Sequence, residues 1–159
     1  MIQAELQTAI LGLNSELSVR EASANILTIK VPSEYLLTLM KTLRDDSRFS
    51  FDQLQLHTTM DWTNEDPVLA TFECLYLLNS TVHHHDVMIS VHIPRANPKI
   101  NSVSALWPIA QWQEREVYDM FGVLYENHPD LRRILLDDDW KGFPLRKDYQ
   151  DDFMLRRTW

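Results

Sequence analysis

Three extended segments follow one another through the middle of the chain, at residues 54–62, 68–79 and 82–93. They are rich in Thr, Val, Phe and Tyr, which are residues that favour β-strands. Turn residues separate the segments at 64–67 and 79–81, and strands joined by such short connections pair antiparallel. The sequence therefore predicts an antiparallel sheet at the centre of the fold.

Helical patterns lie on the N-terminal side of these strands. Residues 2–13 carry apolar side chains at helical spacing, and a second helix is expected after Pro32 and Ser33, with its apolar face over 35–43. A short strand over 25–31 precedes that second helix.

A last helix is expected to begin at Val103 or at Pro108 and to end at Phe121, because Gly122 follows. Together these elements predict an α+β fold, in which helices pack on one face of an antiparallel sheet.

The chain changes character beyond Gly122. Prolines and glycines interrupt it, and its aromatic residues alternate with charges: Trp140, Phe143, Tyr149, Phe153 and Trp159. Such a segment cannot build a core of its own, so its aromatics bury either against the parent domain or against another subunit. We therefore predict an α+β domain over residues 1–125 and an extended C-terminal docking arm over 126–159.

Composition excludes several classes of partner and cofactor. The 23 acidic and 15 basic residues give a net charge of -8, which disfavours nucleic acid or anionic lipid as the main partner. Cys74 is the only cysteine, so neither an internal disulfide nor a four-cysteine iron-sulfur site is expected. Neither a signal peptide nor an apolar run of about 20 residues is found, so no direct membrane insertion is expected.

Two clusters resemble sites of known chemistry. His83, His84, His85 and Asp86 invite a metal, and a strand would place His83 and His85 on one face. Two imidazoles are too few ligands for a metal centre, but a metal-dependent enzyme using His83 and His85 remains the main rival interpretation. The tripeptide at 128–130 matches the His-Pro-Asp motif of J-domain co-chaperones, but it follows an acidic helix.

The acidic run at 137–139 is expected to cap or solvate a helical turn over 131–136, since its spacing does not suit calcium.

The charged residues of the last helix predict a structural network without catalysis. Helical spacing puts Arg115, Glu116 and Asp119 opposite the apolar arc, where Arg115 and Asp119 are four residues apart and can pair. Glu114 borders the apolar arc and would need a partner if buried, with Arg132 or Arg133 as candidates. Further along, Arg146 and Lys147 are expected to donate ion pairs.

The segment from Glu114 to Tyr149 resembles the signature of a known family, the 30-kilodalton or C-type subunit of respiratory complex I, the proton-pumping NADH:quinone oxidoreductase. The matching signature consists of Glu114, Arg115, Glu116, Asp119, Met120, Phe121, His128, Arg132, Ile134 and Leu135. The block GFPLRKDY at 142–149 and the loop PRANPKINSV at 94–103 are similar to further blocks of the family.

The resemblance implies a non-catalytic accessory subunit of the peripheral arm, which docks on the large, D-type quinone-site subunit and supports assembly of the electron-transfer module. It also implies contacts with cluster-bearing subunits of the B and I types. No cofactor is expected in this chain, since the iron-sulfur clusters, flavin and quinone would belong to the partners. The expected location is peripheral, on the cytoplasmic face of an energy-converting membrane, either a plasma membrane or a thylakoid.

The resemblance assigns family-signature, structural or interface roles, rather than catalytic, cofactor-binding or metal-binding ones, to thirteen residues: Glu114, Arg115, Glu116, Asp119, His128, Arg132, Arg133, Trp140, Pro144, Arg146, Lys147, Asp148 and Tyr149. Membrane-bound hydrogenases and other ferredoxin-linked or F420H2-linked complexes carry a homologous subunit. The sequence therefore leaves the electron donor open.

Overall fold

A meander of three ten-residue strands forms the centre of the fold in a computed structural model that describes residues 3–20, 26–64, 66 and 69–151. The elements in chain order are α1 (Gln3–Leu11), β1 (Ser18–Val19), β2 (Thr28–Lys30), a 3-10 turn (Ser33–Tyr35), α2 (Leu36–Asp45), β3 (Gln53–Trp62), β4 (Thr71–Ser80), β5 (His85–Pro94), β6 (Lys99–Asn101), α3 (Ala110–Phe121) and β7 (Leu124–Glu126). The predicted helices and strands are therefore present with shifted ends, although residues 2, 25 and 68 lie outside the described part.

The five-stranded sheet has the order β1-β2-β5-β4-β3. The neighbours β3/β4 and β4/β5 are antiparallel as predicted, whereas β2 lies parallel to β5. This parallel pair was not predicted. It arises because α2 carries the chain from β2 to the far edge of the sheet, so that β5 returns beside β2 in the same direction.

The third predicted strand begins later than expected. Residues 81–84 form the turn after β4, and within it His84 adopts a positive φ of 54°. The predicted strand start at residue 82 was therefore wrong by three residues, since β5 begins at His85.

The core lies between the helices and one face of the sheet. Alternate residues of β4 are fully buried there, namely Phe72, Cys74, Tyr76 and Leu78. The apolar face of α2 joins the same cluster through Leu36, Leu39, Met40 and Leu43, as its spacing predicted. The α+β fold with helices packed on one face is thereby confirmed. Within the described residues, none of the helices has the length and apolar character to span a membrane.

A second, two-stranded parallel sheet joins the two ends of α3 and was not predicted. Strands β6 and β7 pair through Ile100 and Tyr125, which are both buried. The helix is thus the crossover between two short parallel strands. It starts near Pro108, the second of the two predicted starts, and ends at Gly122, whose φ of 75° forms a left-handed cap.

A buried polar pair connects the two sheets. His57 donates from Nδ1 to the Leu75 carbonyl at 2.9 Å, which leaves Nε2 to accept a hydrogen bond from the Tyr125 hydroxyl at 2.5 Å. Burial lowers the pKa of His57 to about 4, in keeping with a neutral ring. The ring of Tyr76 stacks on His57 at 4.0 Å, but its buried hydroxyl has no hydrogen-bond partner among the described residues.

These two tyrosines predict opposite outcomes for the same chemical change. Tyr125→Phe should lower the free energy of unfolding by about 1 to 3 kcal/mol, because it strands the buried acceptor on His57. Tyr76→Phe should be neutral or stabilising, since that hydroxyl loses no partner. Urea unfolding at neutral pH measures both, and equal losses in the two variants would contradict this description.

Candidate functional site

The signature residues lie where α3 meets the segment that folds back over it. This segment comprises residues 128–149 and is called the return segment below. It contains no regular helix or strand, and it is held to α3 by buried charges and hydrogen bonds to backbone groups.

Glu114 faces the interior of the domain and has no solvent exposure. Its two carboxylate oxygens accept hydrogen bonds from the Ser102 hydroxyl at 2.6 Å and from the Val103 amide at 2.8 Å. The expectation that Arg132 or Arg133 would pair with Glu114 was wrong, because the helix turns this side chain toward the loop before α3. Burial raises the pKa of Glu114 to about 7, although the hydrogen bonds from Ser102 and Val103 oppose the shift.

His128 closes the same corner from the other side. Its side chain is 1% exposed, and Nε2 lies 3.9 Å from the Glu114 carboxylate. Nε2 donates to the Gln111 carbonyl at 3.1 Å, while Nδ1 accepts from the Asp130 amide at 3.0 Å. The imidazole is therefore used at both nitrogens to fix the turn after β7, which is not the loop between two helices that a J-domain requires.

Asp119 is also fully buried, which corrects the prediction that it lies on the solvent side of the helix. One carboxylate oxygen pairs with Arg133 at 2.5 Å. The other accepts three successive backbone amides, those of Ile134, Leu135 and Leu136, at 3.0, 2.8 and 2.9 Å. The predicted helical turn over 131–136 is therefore wrong, because its amides point to Asp119 instead of to helical carbonyls.

Burial alone would raise the pKa of Asp119. The amide of Leu136, the guanidinium of Arg133 and the other two amides outweigh that penalty, so the pKa lies below its ordinary value. The group is thus an ionised buried carboxylate whose charge is fully used by the return segment.

Arg115 and Arg133 tie the backbone of the return segment to α3. Arg115 does not pair with Asp119 as predicted, but donates to the carbonyls of Arg132 and Arg133 at 3.1 and 3.0 Å. Arg133 in turn donates to the carbonyls of Trp140 and Gly142 at 3.2 and 3.1 Å. Glu116, between these inward groups, is exposed to solvent.

Arg146 fastens the far end of the return segment. Its Nε donates to the carbonyl of Phe121, at the end of α3, at 2.6 Å. Its guanidinium lies 5.2 Å from the Phe72 ring centroid and 4.6 Å from that of Phe143. Gly122 permits this stacking, because a Cβ there would lie 2.5 Å from Phe143 Cε2.

A second ion-pair cluster involves residues that sequence reasoning missed. Arg95 binds Asp61 through Nε at 2.8 Å and Nη2 at 3.2 Å, and it also binds Asp148 at 2.5 Å. The Lys147 amide completes the cluster by donating to Asp61 at 2.9 Å. Arg95 lies in the quoted loop at 94–103, but Asp61 sits in a strand where no sequence pattern distinguishes it.

The predicted arm residues are divided between these contacts and the surface. Arg132, Lys147 and Asp148 have exposed side chains. The remaining three, Trp140, Pro144 and Tyr149, are half-buried beside the domain, and residues 152–159 lie outside the described part. The first part of the arm therefore packs against its own domain, while its predicted contacts with other subunits stay a prediction.

The rival metal site gains no support from its surroundings. His83 and His85 stack side by side at 5.5 Å, yet each donates from Nε2 to a backbone carbonyl, of Ser47 at 2.9 Å and Phe49 at 3.3 Å respectively. The part of the chain that the structure describes contains no group of three or more His, Cys, Asp or Glu residues that could hold a metal ion. Burial also raises the pKa of the Cys74 thiol to about 12, which is far from that of a reactive thiolate.

Comparison with known proteins gives a consistent picture. The model of a family described as respiratory-chain NADH dehydrogenase, 30 Kd subunit, matches residues 29–152. Over 123 residues, 77% of this chain, the sequence is 43% identical to the C subunit of NADH-quinone oxidoreductase from Citrifermentans bemidjiense and 42% identical to that from Acidothermus cellulolyticus. The aligned residues span 73% and 63% of those two relatives.

Two solved structures share the fold. A trypsin-resistant fragment of Nqo5 superposes with a TM-score of 0.68 at 24% identity, covering 82% of this chain and 100% of that one. A chain of an archaeal respiratory membrane complex, the membrane-bound sulfane sulfur reductase, superposes with a TM-score of 0.77 at 22% identity, covering 92% of this chain and 85% of that one. At these identities the likeness concerns the fold alone.

The role of Asp119 predicts a large loss of stability on substitution. Asp119→Asn should lower the free energy of unfolding by about 3 to 5 kcal/mol, because it leaves Arg133 partly buried without its counter-charge. Glu116→Gln is the matched control on the same helix, and its exposed side chain should change stability by no more than about 0.5 kcal/mol. Urea unfolding of the isolated chain compares them, and a loss below about 1 kcal/mol in Asp119→Asn would refute the buried ion pair.

The raised pKa of Glu114 predicts a pH dependence with a defined sign. Between its ordinary value of 4.5 and about 7, the unfolded chain loses the Glu114 proton while the folded chain keeps it. The stability contributed by the protonated carboxyl is therefore present below pH 4.5 and is lost as the pH rises through 7.

Glu114→Gln should remove this dependence, since the amide cannot ionise. Its oxygen can accept from Val103, and its NH2 group can donate to the Ser102 hydroxyl oxygen, whose own proton then turns to Ser104. The difference in unfolding free energy between wild type and variant should fall by roughly 2 to 3 kcal/mol from pH 4.5 to pH 8. His57 titrates in the opposite direction, but it contributes equally to both proteins and cancels in the difference. A difference that stays constant over this range would contradict the raised pKa.

Proposed function

The chain belongs to the family of the 30 Kd subunit of respiratory-chain NADH dehydrogenase, and from this we propose that it is a non-catalytic accessory subunit of a proton-pumping NADH:quinone oxidoreductase. Family membership implies partner subunits in a multisubunit complex. The finer proposal is that the chain lies in the peripheral arm, docks on the large quinone-site subunit and contacts cluster-bearing subunits. In this proposal the iron-sulfur clusters, flavin and quinone belong to those partners, and the chain lies peripherally on the cytoplasmic face of an energy-converting membrane, either a plasma membrane or a thylakoid.

The observation that carries the proposal is that the charged residues of α3 and the return segment bind groups of their own chain. The signature carboxylates Glu114 and Asp119, together with Arg133, are engaged in hydrogen bonds within the chain. Glu114 and Asp119 are fully buried, and the side chain of Arg133 is 14% exposed. Their effect is to fix the backbone of the return segment against α3, which is the arrangement that a rigid docking surface requires.

Apolar side chains are exposed on this fixed backbone. Trp112 on α3 is 57% exposed, and Leu135 and Leu145 on the return segment are 62% and 54% exposed. We call these three residues the docking strip. Exposed apolar residues on a rigid support are typical of protein interfaces, in which a few aromatic and aliphatic anchors dominate affinity.

The proposal is tested by recovering the native complex. The tagged full-length chain should co-purify from gently solubilised membranes of its own host with a large quinone-site subunit, cluster-bearing subunits and an NADH-binding flavoprotein. Mass spectrometry identifies these partners. Recovery of a nickel-ligating large subunit would instead assign the chain to a hydrogenase-type complex. Tight binding of a cluster, flavin or stoichiometric metal by the isolated chain would overturn the accessory role.

The docking strip predicts a separation of stability from assembly. Leu135→Asp and Leu145→Asp should each reduce recovery of the partner subunits at least tenfold, because a charge is buried where an apolar anchor was. Both side chains are exposed in the isolated chain, so its thermal midpoint should barely move. Val82→Asp, in the turn after β4, is the control, since Val82 is 65% exposed but remote in sequence from the strip. Equal recovery in all three variants would remove the strip from the interface.

A further inference from the structure

An open pocket of about 440 Å³ lies beside the far end of the return segment. Its lining includes Thr63, Asn64, Arg95, Ala96, Arg146 and Asp148. Two guanidinium groups thus face a single pocket on the surface of an acidic protein, and their surroundings differ.

Arg95 already has its counter-charges. It is held by Asp61 on one side and by Asp148 on the other, with contacts of 2.8 and 2.5 Å. These two carboxylates raise its pKa above the ordinary value, with Asp148 the larger cause. Arg95 therefore has little attraction left for a further anion.

Arg146 has no carboxylate partner among the described residues. Phe72 and Phe143 lie near the guanidinium, and Nε is used by the Phe121 carbonyl. Within the described part of the chain, neither Nη atom makes a hydrogen bond. Burial and the charge of Arg95 lower the pKa of Arg146 below its ordinary value, and the carboxylates of Asp148 and Asp61, which make no ion pair with it, offset only part of that shift. The stacking fixes the guanidinium in place, so an in-plane acceptor would find it preorganised.

We propose that this pocket receives a carboxylate side chain of a neighbouring subunit, which pairs with Arg146. The inference rests on the proposed function and names the chemistry of one contact. A carboxylate matches the planar guanidinium and carries a single charge. The carboxylate of Asp148 on the pocket lining, and that of Asp61 behind Arg95, would repel a dianionic phosphate more strongly than a singly charged carboxylate, because the repulsion scales with the charge of the ligand.

The surroundings of the pocket favour a protein as the source of that carboxylate. Leu145 of the docking strip directly precedes Arg146 in the chain. On the other side, Trp62 and Leu69 are 41% and 62% exposed. A charged anchor point flanked by exposed apolar side chains is the usual composition of a protein interface.

A carboxylate introduced on the lining tests the pairing, because it would compete for Arg146. Ala96 is exposed and lines the pocket, so Ala96→Glu supplies the competitor, Ala96→Gln matches its size without charge, and Ala96→Lys reverses the charge. The full-length tagged variants are recovered from host membranes, and the thermal midpoint of each isolated chain is measured.

Ala96→Glu should fold with an unchanged or higher midpoint and recover at least tenfold less partner. Ala96→Gln and Ala96→Lys should recover amounts within about twofold of wild type, well inside the tenfold step that 1.4 kcal/mol represents.

The outcomes separate the pocket from the function on which it rests. If wild type recovers partner subunits and Ala96→Glu recovers as much as Ala96→Gln, only the pocket proposal fails. If wild type recovers none, both fail. Equal losses in all three variants would indicate a steric effect and overturn the carboxylate. If wild type self-associates and Ala96→Glu abolishes this, the occupant is a second copy of the chain, and the partner-subunit proposal is overturned. If millimolar inorganic phosphate raises the thermal midpoint of wild type but not of Arg146→Gln, the occupant is a free anion, and the proposal is likewise overturned.

Discussion

The carboxylate of Asp119 is the interaction on which the C-terminal third of the structure depends. A single buried side chain accepts three successive amides and an arginine, and so fixes the direction of a segment that has no helix or strand of its own. Without this carboxylate, the three consecutive N–H groups of a half-buried loop would need water or another acceptor, and nothing would hold them toward α3. Arg133 completes the arrangement, because it neutralises the charge of Asp119 and also donates hydrogen bonds to the carbonyls of Trp140 and Gly142.

Two buried carboxylates on one helix show how surroundings decide charge. Asp119 meets an arginine and three amides, which favour its ionised form. Glu114, five residues earlier, meets a hydroxyl and one amide, which are too few to offset its burial. The first therefore acts as a permanent charge that organises the chain around it. The second behaves near neutrality as a hydrogen-bonding group, and its hydroxyl and amide partners hold the loop before α3 against the helix.

The fold could be predicted from sequence to the extent that it is encoded in local patterns. The three central strands, the apolar face of α2 and the glycine that ends α3 follow from alternation, spacing and backbone freedom. The burial of Asp119 does not follow from such local patterns. Helical periodicity assigns one buried side to a helix, and it cannot register that the return segment later covers the other side. The error at 131–136 has the same origin, because those apolar residues suit a helical turn until their amides are claimed by Asp119. Likewise, the parallel pairing of β2 with β5 depends on a crossover between distant segments.

The signature residues could be named from the sequence, but their contacts could not. A cluster of charges around a glycine and two prolines was recognisable as a signature, yet its partners are backbone groups, which carry no sequence label. The partners predicted for Arg115 and Glu114 were charged side chains and were wrong for this reason. Arg115 instead binds two backbone carbonyls, and Glu114 binds a hydroxyl and a backbone amide. Arg146 is an exception, because it lines an open pocket at the surface. Glu114, Asp119 and Arg133 are satisfied by direct contacts within the chain, whereas Arg146 has no carboxylate within ion-pair distance among the described residues and is held by rings and a carbonyl. Its Nη atoms are therefore the groups of this network that the proposed partner carboxylate would reach.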